Sequence, residues 1–211
     1  MTPLLTIRST AARVGAWAWT AFAVLNLIDI AWRGRDMASA VMAGVLLLGC
    51  GIAYVMGLRP AVVADEGGVT VRNPLREARV PWAALRELTG AHALVFTFAD
   101  PGAPDGVRAV KAWVLQTSPR AQAKAEARAA RQSRGAPEGA AAKLKGRTPT
   151  TYAAQQLNEI ADRHRPKRKE KGATATKETA TGALVWSRTA VAALAAPGAL
   201  VVVTAILALV I

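Results

Sequence analysis

Cysteine and histidine are almost absent from this 211-residue chain, which has one cysteine and two histidines. Cys50 lies in an apolar stretch and has no second cysteine, so neither an internal disulfide nor a cysteine-based metal site can form. His92 and His164 are far apart in the sequence, and neither has a partner at metal-ligand spacing. The sequence therefore predicts no metal and no other cofactor.

Catalytic motifs are missing as well. The sequence contains no phosphate-binding loop, no Gly-x-Ser-x-Gly and no His-Glu-x-x-His. Asp65 and Glu66 stand directly before two glycines, where acidic residues are common because they favour turns. We therefore expect a protein without enzymatic activity.

Acidic residues are scarce, with 14 Asp and Glu against 27 Lys and Arg, although 52% of the residues are hydrophobic. This combination indicates apolar and basic segments placed end to end. Binding of nucleic acid would require exposed aromatic side chains beside the basic residues. Trp82, Phe96, Phe98 and Trp113 lie in apolar strand patterns and are expected in a core, so nucleic acid is not a predicted partner.

Three long apolar segments predict membrane spans. Residues 14–32 and 37–58 are separated by a short charged turn and predict a transmembrane hairpin over 14–58. Residues 189–211 carry no charge, and a helix of that length reaches about 34 Å, enough for a hydrocarbon core of about 30 Å. A third span is predicted over 186–211. A cleaved signal peptide is the rival interpretation of the first segment, but the charged residues 33–36 interrupt the approach to its cleavage site.

Basic residues beside the spans predict their orientation. Arg8 and Arg13 precede the first span, and Arg59 follows the second. Only Arg33 and Arg35 lie in the turn between them. The positive-inside rule therefore predicts a cytoplasmic N-terminus over residues 1–13, a cytoplasmic middle domain and a C-terminus outside the cell.

The middle of the chain has the pattern of a small β domain. Short alternating runs occupy residues 61–64, 69–72, 79–82, 85–89, 94–98 and 107–114, with turn residues between them. A helix is predicted from Pro149, with Leu157 and Ile160 on its apolar face and Tyr152 and His164 beside them. The pattern indicates an antiparallel barrel or sandwich whose open end is closed by this helix.

A family resemblance supports this interpretation. The run from Gly68 to Pro74, preceded by Arg59-Pro60 and Asp65 and followed by Pro81-Trp82, resembles the bacterial PH-domain family. Trp113 and Tyr152-Ala153-Ala154 extend the resemblance, which covers about residues 59–165. Members occur as small actinobacterial membrane proteins with flanking hydrophobic helices. The resemblance implies a pleckstrin-homology-like fold but no activity. We therefore expect an α+β membrane protein with a PH-like domain flanked by three transmembrane helices.

Two basic stretches are candidate contacts for anionic lipid. The first lies in an Ala-rich insertion at about 118–147, absent from a compact family member, and the second precedes and enters a juxtamembrane linker over 166–185. Both would attract anionic headgroups. A solvated loop remains the alternative for the first stretch, and a topology signal remains the alternative for the second. The candidate residues are Arg120, Lys124, Arg128 and Arg131 in the first stretch, and Arg163, Arg165, Lys167, Arg168, Lys169 and Lys171 in the second.

Two functional hypotheses follow. The first is a non-enzymatic interaction or scaffolding module held at the membrane, with anionic phospholipid as a partner. The second is an accessory subunit of a transporter or an envelope-synthesis complex. It draws on small residues of the second span that could let another helix approach closely, which are Ala43, Gly44, Gly49, Gly51 and Ala53.

Overall fold

The computed structural model describes residues 3–116, 149–165 and 180–210. These residues form eight strands and four helices, and the chain divides into two compact units. We call them the barrel unit and the helical unit. The barrel unit comprises Met1–Arg8, Ala61–Arg72 and Ala78–Leu184, and the helical unit comprises Ser9–Pro60, Asn73–Glu77 and Val185–Ile211.

The first sheet has five strands in the order β1-β2-β3-β4-β8. Alternate side chains of its central strands are buried, among them Val62, Val69 and Val80, as a strand with one face on a core requires. β1 and β3 each pair antiparallel with β2. The strands are β1 (Leu5–Ile7), β2 (Ala61–Asp65), β3 (Gly68–Arg72), β4 (Arg76–Pro81) and β8 (Ala183–Trp186).

The second sheet has three antiparallel strands in the order β5-β6-β7. Leu94, Phe96 and Phe98 of its central strand are fully buried and supply much of the core. The strands are β5 (Leu85–Gly90), β6 (Ala93–Ala99) and β7 (Val107–Gln116).

Helix α3 (Pro149–His164) packs its apolar face on the core of the barrel unit. Leu157 is fully buried and Ile160 is partly buried against the same core, as predicted. The helix lies so close to β5 that a side chain at Gly90 would stand 2.5 Å from Cβ of Ala154. Two antiparallel sheets and one packed helix confirm the predicted α+β, PH-like plan.

The helical unit contains three helices long and apolar enough to cross a membrane. They are α1 (Thr10–Arg33), α2 (Met37–Ala53), which continues as a π-helical turn (Tyr54–Leu58), and α4 (Arg188–Val210). Asp36 accepts a hydrogen bond from the backbone N of Ser39 at 2.9 Å and so caps α2. The three predicted spans are therefore confirmed as apolar helices, and α4 runs through Pro197.

The glycines of the second span allow close helix packing inside this chain. A Cβ at Gly44 would stand 3.0 Å from Cγ2 of Val201, and one at Gly51 would collide with the backbone oxygen of Ala193. Both contacts are with α4. A Cβ at Gly49 would collide with the ring of Trp19 on α1. The predicted close approach is thus made by the chain's own helices.

Three details differ from the sequence predictions. Strands β1 and β8 were not predicted, and they add an edge strand at each end of the first sheet. Trp113, expected in the core, is 47% exposed because its neighbours Ala112 and Val114 take the buried face of β7. Tyr152 and His164, expected on the apolar face of α3, are exposed because Ala153, Leu157 and Ala161 occupy that face.

Candidate functional site

The residues predicted to contact anionic lipid are only partly described. Arg163 and Arg165 lie at the C-terminal end of α3. Arg163 approaches Glu159 at 3.9 Å, and both side chains are largely exposed. Arg165 Nη2 donates to the backbone oxygen of Leu85 at 2.6 Å, which directs this guanidinium onto β5. The others lie outside the described residues: Arg120, Lys124, Arg128, Arg131, Lys167, Arg168, Lys169 and Lys171.

A groove of about 240 Å³ lies between β5 and the end of α3. Asn158 Nδ2 donates to the backbone oxygen of Leu88 at 3.4 Å on one side of it. Its charged lining residues are Arg86, Glu87, Asp162 and Arg165, so the two signs are balanced. This groove can accept a polar partner, but its charge does not select an anion.

A polar network organises the turn between β2 and β3. Asp65 Oδ1 accepts hydrogen bonds from the backbone N of Gly67 at 2.9 Å and of Gly68 at 3.0 Å. Arg79 Nη1 donates to Asp65 Oδ2 at 2.6 Å, and Arg79 Nη2 donates to Asp65 Oδ1 at 2.7 Å. Trp82 Nε1 donates to the backbone oxygen of Asp65 at 2.8 Å. The Asp65 carboxylate therefore stabilises the turn between β2 and β3, as its sequence position predicts.

The environment shifts the pKa values of both ionised groups in this network. The hydrogen bonds from Arg79 lower the pKa of Asp65 below its ordinary value, helped by the amides of Gly67 and Gly68 and opposed by burial. The hydrogen bond to Asp65 raises the pKa of Arg79. Both groups are held in their charged forms, which suits an ion pair and not a proton-transfer site.

A second ion pair closes the loop between β6 and β7. Arg108 pairs with Asp100, whose Oδ1 also accepts a hydrogen bond from the backbone N of Gly102 at 2.9 Å. Across the described residues, no group of three or more histidines, cysteines and acidic residues is arranged to hold a metal ion. Asp65 and Asp100, each with its arginine partner, thus stabilise two turns of the barrel unit.

In the helical unit, Arg59 ties the end of the second span to the turn between β3 and β4. Its side chain is 6% exposed. Nη1 donates to the backbone oxygens of Asn73 and Pro74, the latter at 3.1 Å, and Nη2 lies 3.3 Å from Glu77 Oε2. Because Arg59 follows the π-helical turn directly, the guanidinium fixes where that helix end lies against residues 73–77.

The same unit holds an aromatic and basic cluster at the start of α4. The guanidinium of Arg76 stacks over the ring of Trp186, 4.6 Å from its centroid. The backbone N of Ser187 donates to the oxygen of Leu75 at 2.9 Å and fixes this alignment. Arg188 follows as the first residue of α4. Arg76 is far from Trp186 and Arg188 in the sequence, so no local pattern predicts this contact.

One comparison with known proteins gives a match. Residues 59–132 match the family model described as bacterial PH domain. Strands β2 to β7 lie inside the matched segment, whereas β1, α3 and β8 lie outside it. No curated protein and no solved structure matches the chain significantly.

Proposed function

Since residues 59–132 match the family model described as bacterial PH domain, we propose that this chain presents a PH-like domain at the cytoplasmic face of the membrane as an interaction or scaffolding module. PH domains are generally non-catalytic interaction modules. Three apolar helices flank the domain, which is consistent with a multi-pass membrane protein. Its partners in this proposal are the membrane, anionic phospholipid and a further protein.

The pairing of β1 with β2 is the observation that best supports this arrangement. β1 precedes α1 and β2 follows α2, yet Thr6 pairs with Val63 in one sheet. The chain between these strands must therefore cross a membrane an even number of times. A hairpin of α1 and α2 satisfies this condition. Removal of the first apolar segment as a signal peptide would also remove β1 from the sheet, which argues against that rival interpretation.

The joints between strands and helices are short. No more than two residues separate β1 from α1, the π-helical turn from β2, and β8 from α4. Two residues of extended chain span at most about 7 Å. A domain joined to three spans in this way remains at the membrane surface, where a scaffolding module meets membrane-bound partners.

The distribution of basic residues supports a cytoplasmic domain. Arg8 precedes α1 and Arg13 lies in its first turn, and Arg188 begins α4 directly after strand β8. Arg33 and Arg35 lie at the turn between α1 and α2. The basic stretches at residues 120–131 and 163–171 add to the cytoplasmic side, where they would contact anionic headgroups.

An accessory subunit of a membrane complex is the other function considered. Its main support was the small residues of the second span. Gly44, Gly49 and Gly51 are used to pack α2 against α4 and α1. No feature of the described residues favours this function over the first. Purification with a stoichiometric partner in mild detergent would revive it.

Cysteine labelling in spheroplasts tests the proposed topology. In a Cys50→Ala background, Arg35→Cys places a thiol in the turn between α1 and α2, and Glu66→Cys places one on an exposed turn of the domain. A membrane-impermeant maleimide should label the Arg35→Cys variant in intact spheroplasts and the Glu66→Cys variant only after permeabilisation. The opposite pattern would reject a cytoplasmic PH domain.

A further inference from the structure

The start of α4 marks where the chain enters the apolar phase. Arg188 is its first residue, and residues 189–210 carry no charge. Ala190 is the one buried residue of this described helix; most of its other side chains are exposed, and half-buried ones such as Val201 pack on α2. In a bilayer such a helix places its terminal arginine at the boundary between hydrocarbon and headgroups.

Trp186 and Arg76 lie at the same boundary. Trp186 is 59% exposed, and Val185 beside it is 56% exposed. Tryptophan concentrates at the membrane interface because its ring is apolar and its N–H is polar. The guanidinium carbon of Arg76 lies over this ring and the residue is exposed, so its N–H donors are accessible from outside the protein.

Neither arginine is neutralised within the described residues. Arg76 and Arg188 are exposed, and no described carboxylate forms an ion pair with either. The more buried arginines differ: Arg59, Arg79 and Arg108 each pair with a carboxylate. Two positive charges without a described carboxylate partner, beside an interfacial tryptophan, complement the negative charge of an anionic headgroup.

We propose that Arg76, Trp186 and Arg188 form a binding site for the phosphate of an anionic phospholipid headgroup. The guanidinium edges donate hydrogen bonds to the phosphate oxygens, as arginine does in other phosphate sites. Trp186 orients Arg76 and lies in the interfacial layer, so the occupant is a lipid of the same bilayer and not a soluble phosphate. The inference rests on the proposed membrane insertion of α4.

Lipid titration of the detergent-solubilised full chain, followed by native mass spectrometry, tests the site. Phosphatidylglycerol and phosphatidylcholine serve as the anionic and zwitterionic probes. Each of Arg76→Gln and Arg188→Gln should weaken phosphatidylglycerol binding about fivefold, and the double variant about 25-fold. Phosphatidylcholine binding should not change. Trp186→Leu should act like Arg76→Gln because it removes the stacking surface.

Matched controls keep the interpretation clear. Arg35→Gln removes the same charge from an exposed turn and should leave phosphatidylglycerol binding unchanged. Equal phosphatidylglycerol affinities of the wild type and the double variant would overturn the site, as would displacement of the lipid by inorganic phosphate. All substituted side chains are exposed, so far-UV circular dichroism should match the wild type. If cysteine labelling supports the topology while lipid binding is unaffected, only this inference fails.

Discussion

The Asp65–Arg79 pair offers a sharp test of how the barrel unit holds its first hairpin. Asp65→Asn keeps the size of the side chain but removes its charge. One amide oxygen can still accept from Gly67 and Gly68, but the new NH₂ group then faces the Arg79 guanidinium. The hydrogen bond from Trp82 to the backbone of Asp65 is untouched.

The size of the effect follows from the two charge-assisted hydrogen bonds. Each contributes about 1.5–3 kcal/mol where both partners are buried. The Asp65 side chain is 13% exposed but that of Arg79 is 39% exposed, so solvent screens part of the interaction. We expect Asp65→Asn to lower the free energy of unfolding of this hairpin by about 1–2 kcal/mol.

Hydrogen-exchange mass spectrometry of peptides covering residues 61–72 measures this change in the full chain. A loss of 1–2 kcal/mol corresponds to exchange about 5–30-fold faster. Glu66→Gln removes a charge from the adjacent exposed position and serves as the control. Equal effects of Asp65→Asn and Glu66→Gln, or strict additivity of Asp65→Asn with Arg79→Gln, would refute the reasoning.

The same pair predicts a dependence on pH. Since the folded state lowers the pKa of Asp65, its stabilisation is fully present above the unfolded value of about 3.9 and is lost as pH falls through the lower folded value. Exchange from the hairpin should therefore accelerate below about pH 4, beyond its intrinsic pH dependence. Arg79→Gln should flatten this acceleration, and an unchanged profile would contradict the assignment.

Three further substitutions test the core, the helix packing and the Arg59 contact. Leu157→Ala removes a fully buried side chain and should destabilise the barrel unit by about 2–5 kcal/mol, measured by exchange from β5 and β6. Gly51→Ala should separate α2 from α4 at a cost of about 1–3 kcal/mol in detergent unfolding, because its Cβ would collide with Ala193. Arg59→Met deprives two backbone oxygens of their donor and should speed exchange of residues 73–77 at least tenfold.

Each of these substitutions has a control of the same type at a position that lacks the assigned contact. Leu4→Ala truncates a leucine that is 45% exposed and should be nearly neutral. Gly15→Ala adds a methyl group where nothing lies within 4 Å. Arg13→Met makes the same replacement at an exposed arginine of the helical unit. A control as damaging as its partner would show that the assigned contact is not the cause.

The strands and helices with strong local patterns could be predicted from sequence. β4, β6 and much of β7 alternate buried and less buried side chains, and the β2–β3, β3–β4 and β6–β7 turns hold glycine, proline or acidic residues. The spans are set by apolar length alone. β1 has only three residues, too few for an alternation to stand out, and its strand conformation depends on pairing with β2. Such pairing is a tertiary property.

Trp113 shows where a local pattern was available but weighed wrongly. Val110, Ala112 and Val114 are the buried residues of β7, so strand periodicity places residue 113 on the opposite face. The aromatic side chain of Trp113 led to the prediction that it is buried, but the strand periodicity was the better predictor. The contact of Arg76 with Trp186 is different in kind, because no local pattern joins residues so far apart in the sequence.

The two unpredicted strands, β1 and β8, extend the folded domain beyond the segment that matches the family model. The family match ends at residue 132, so a fragment with those bounds would lack β1, β8 and α3. It would leave the edges of β2 and β4 without partners and would expose the core around Leu157, and unpaired sheet edges promote aggregation. β1 and β8 each lie within two residues of an apolar helix. The strands that complete the sheet are therefore directly joined to the apolar helices. If a 59–132 fragment failed to bind lipid or a partner, incomplete folding would explain the loss without any missing binding site.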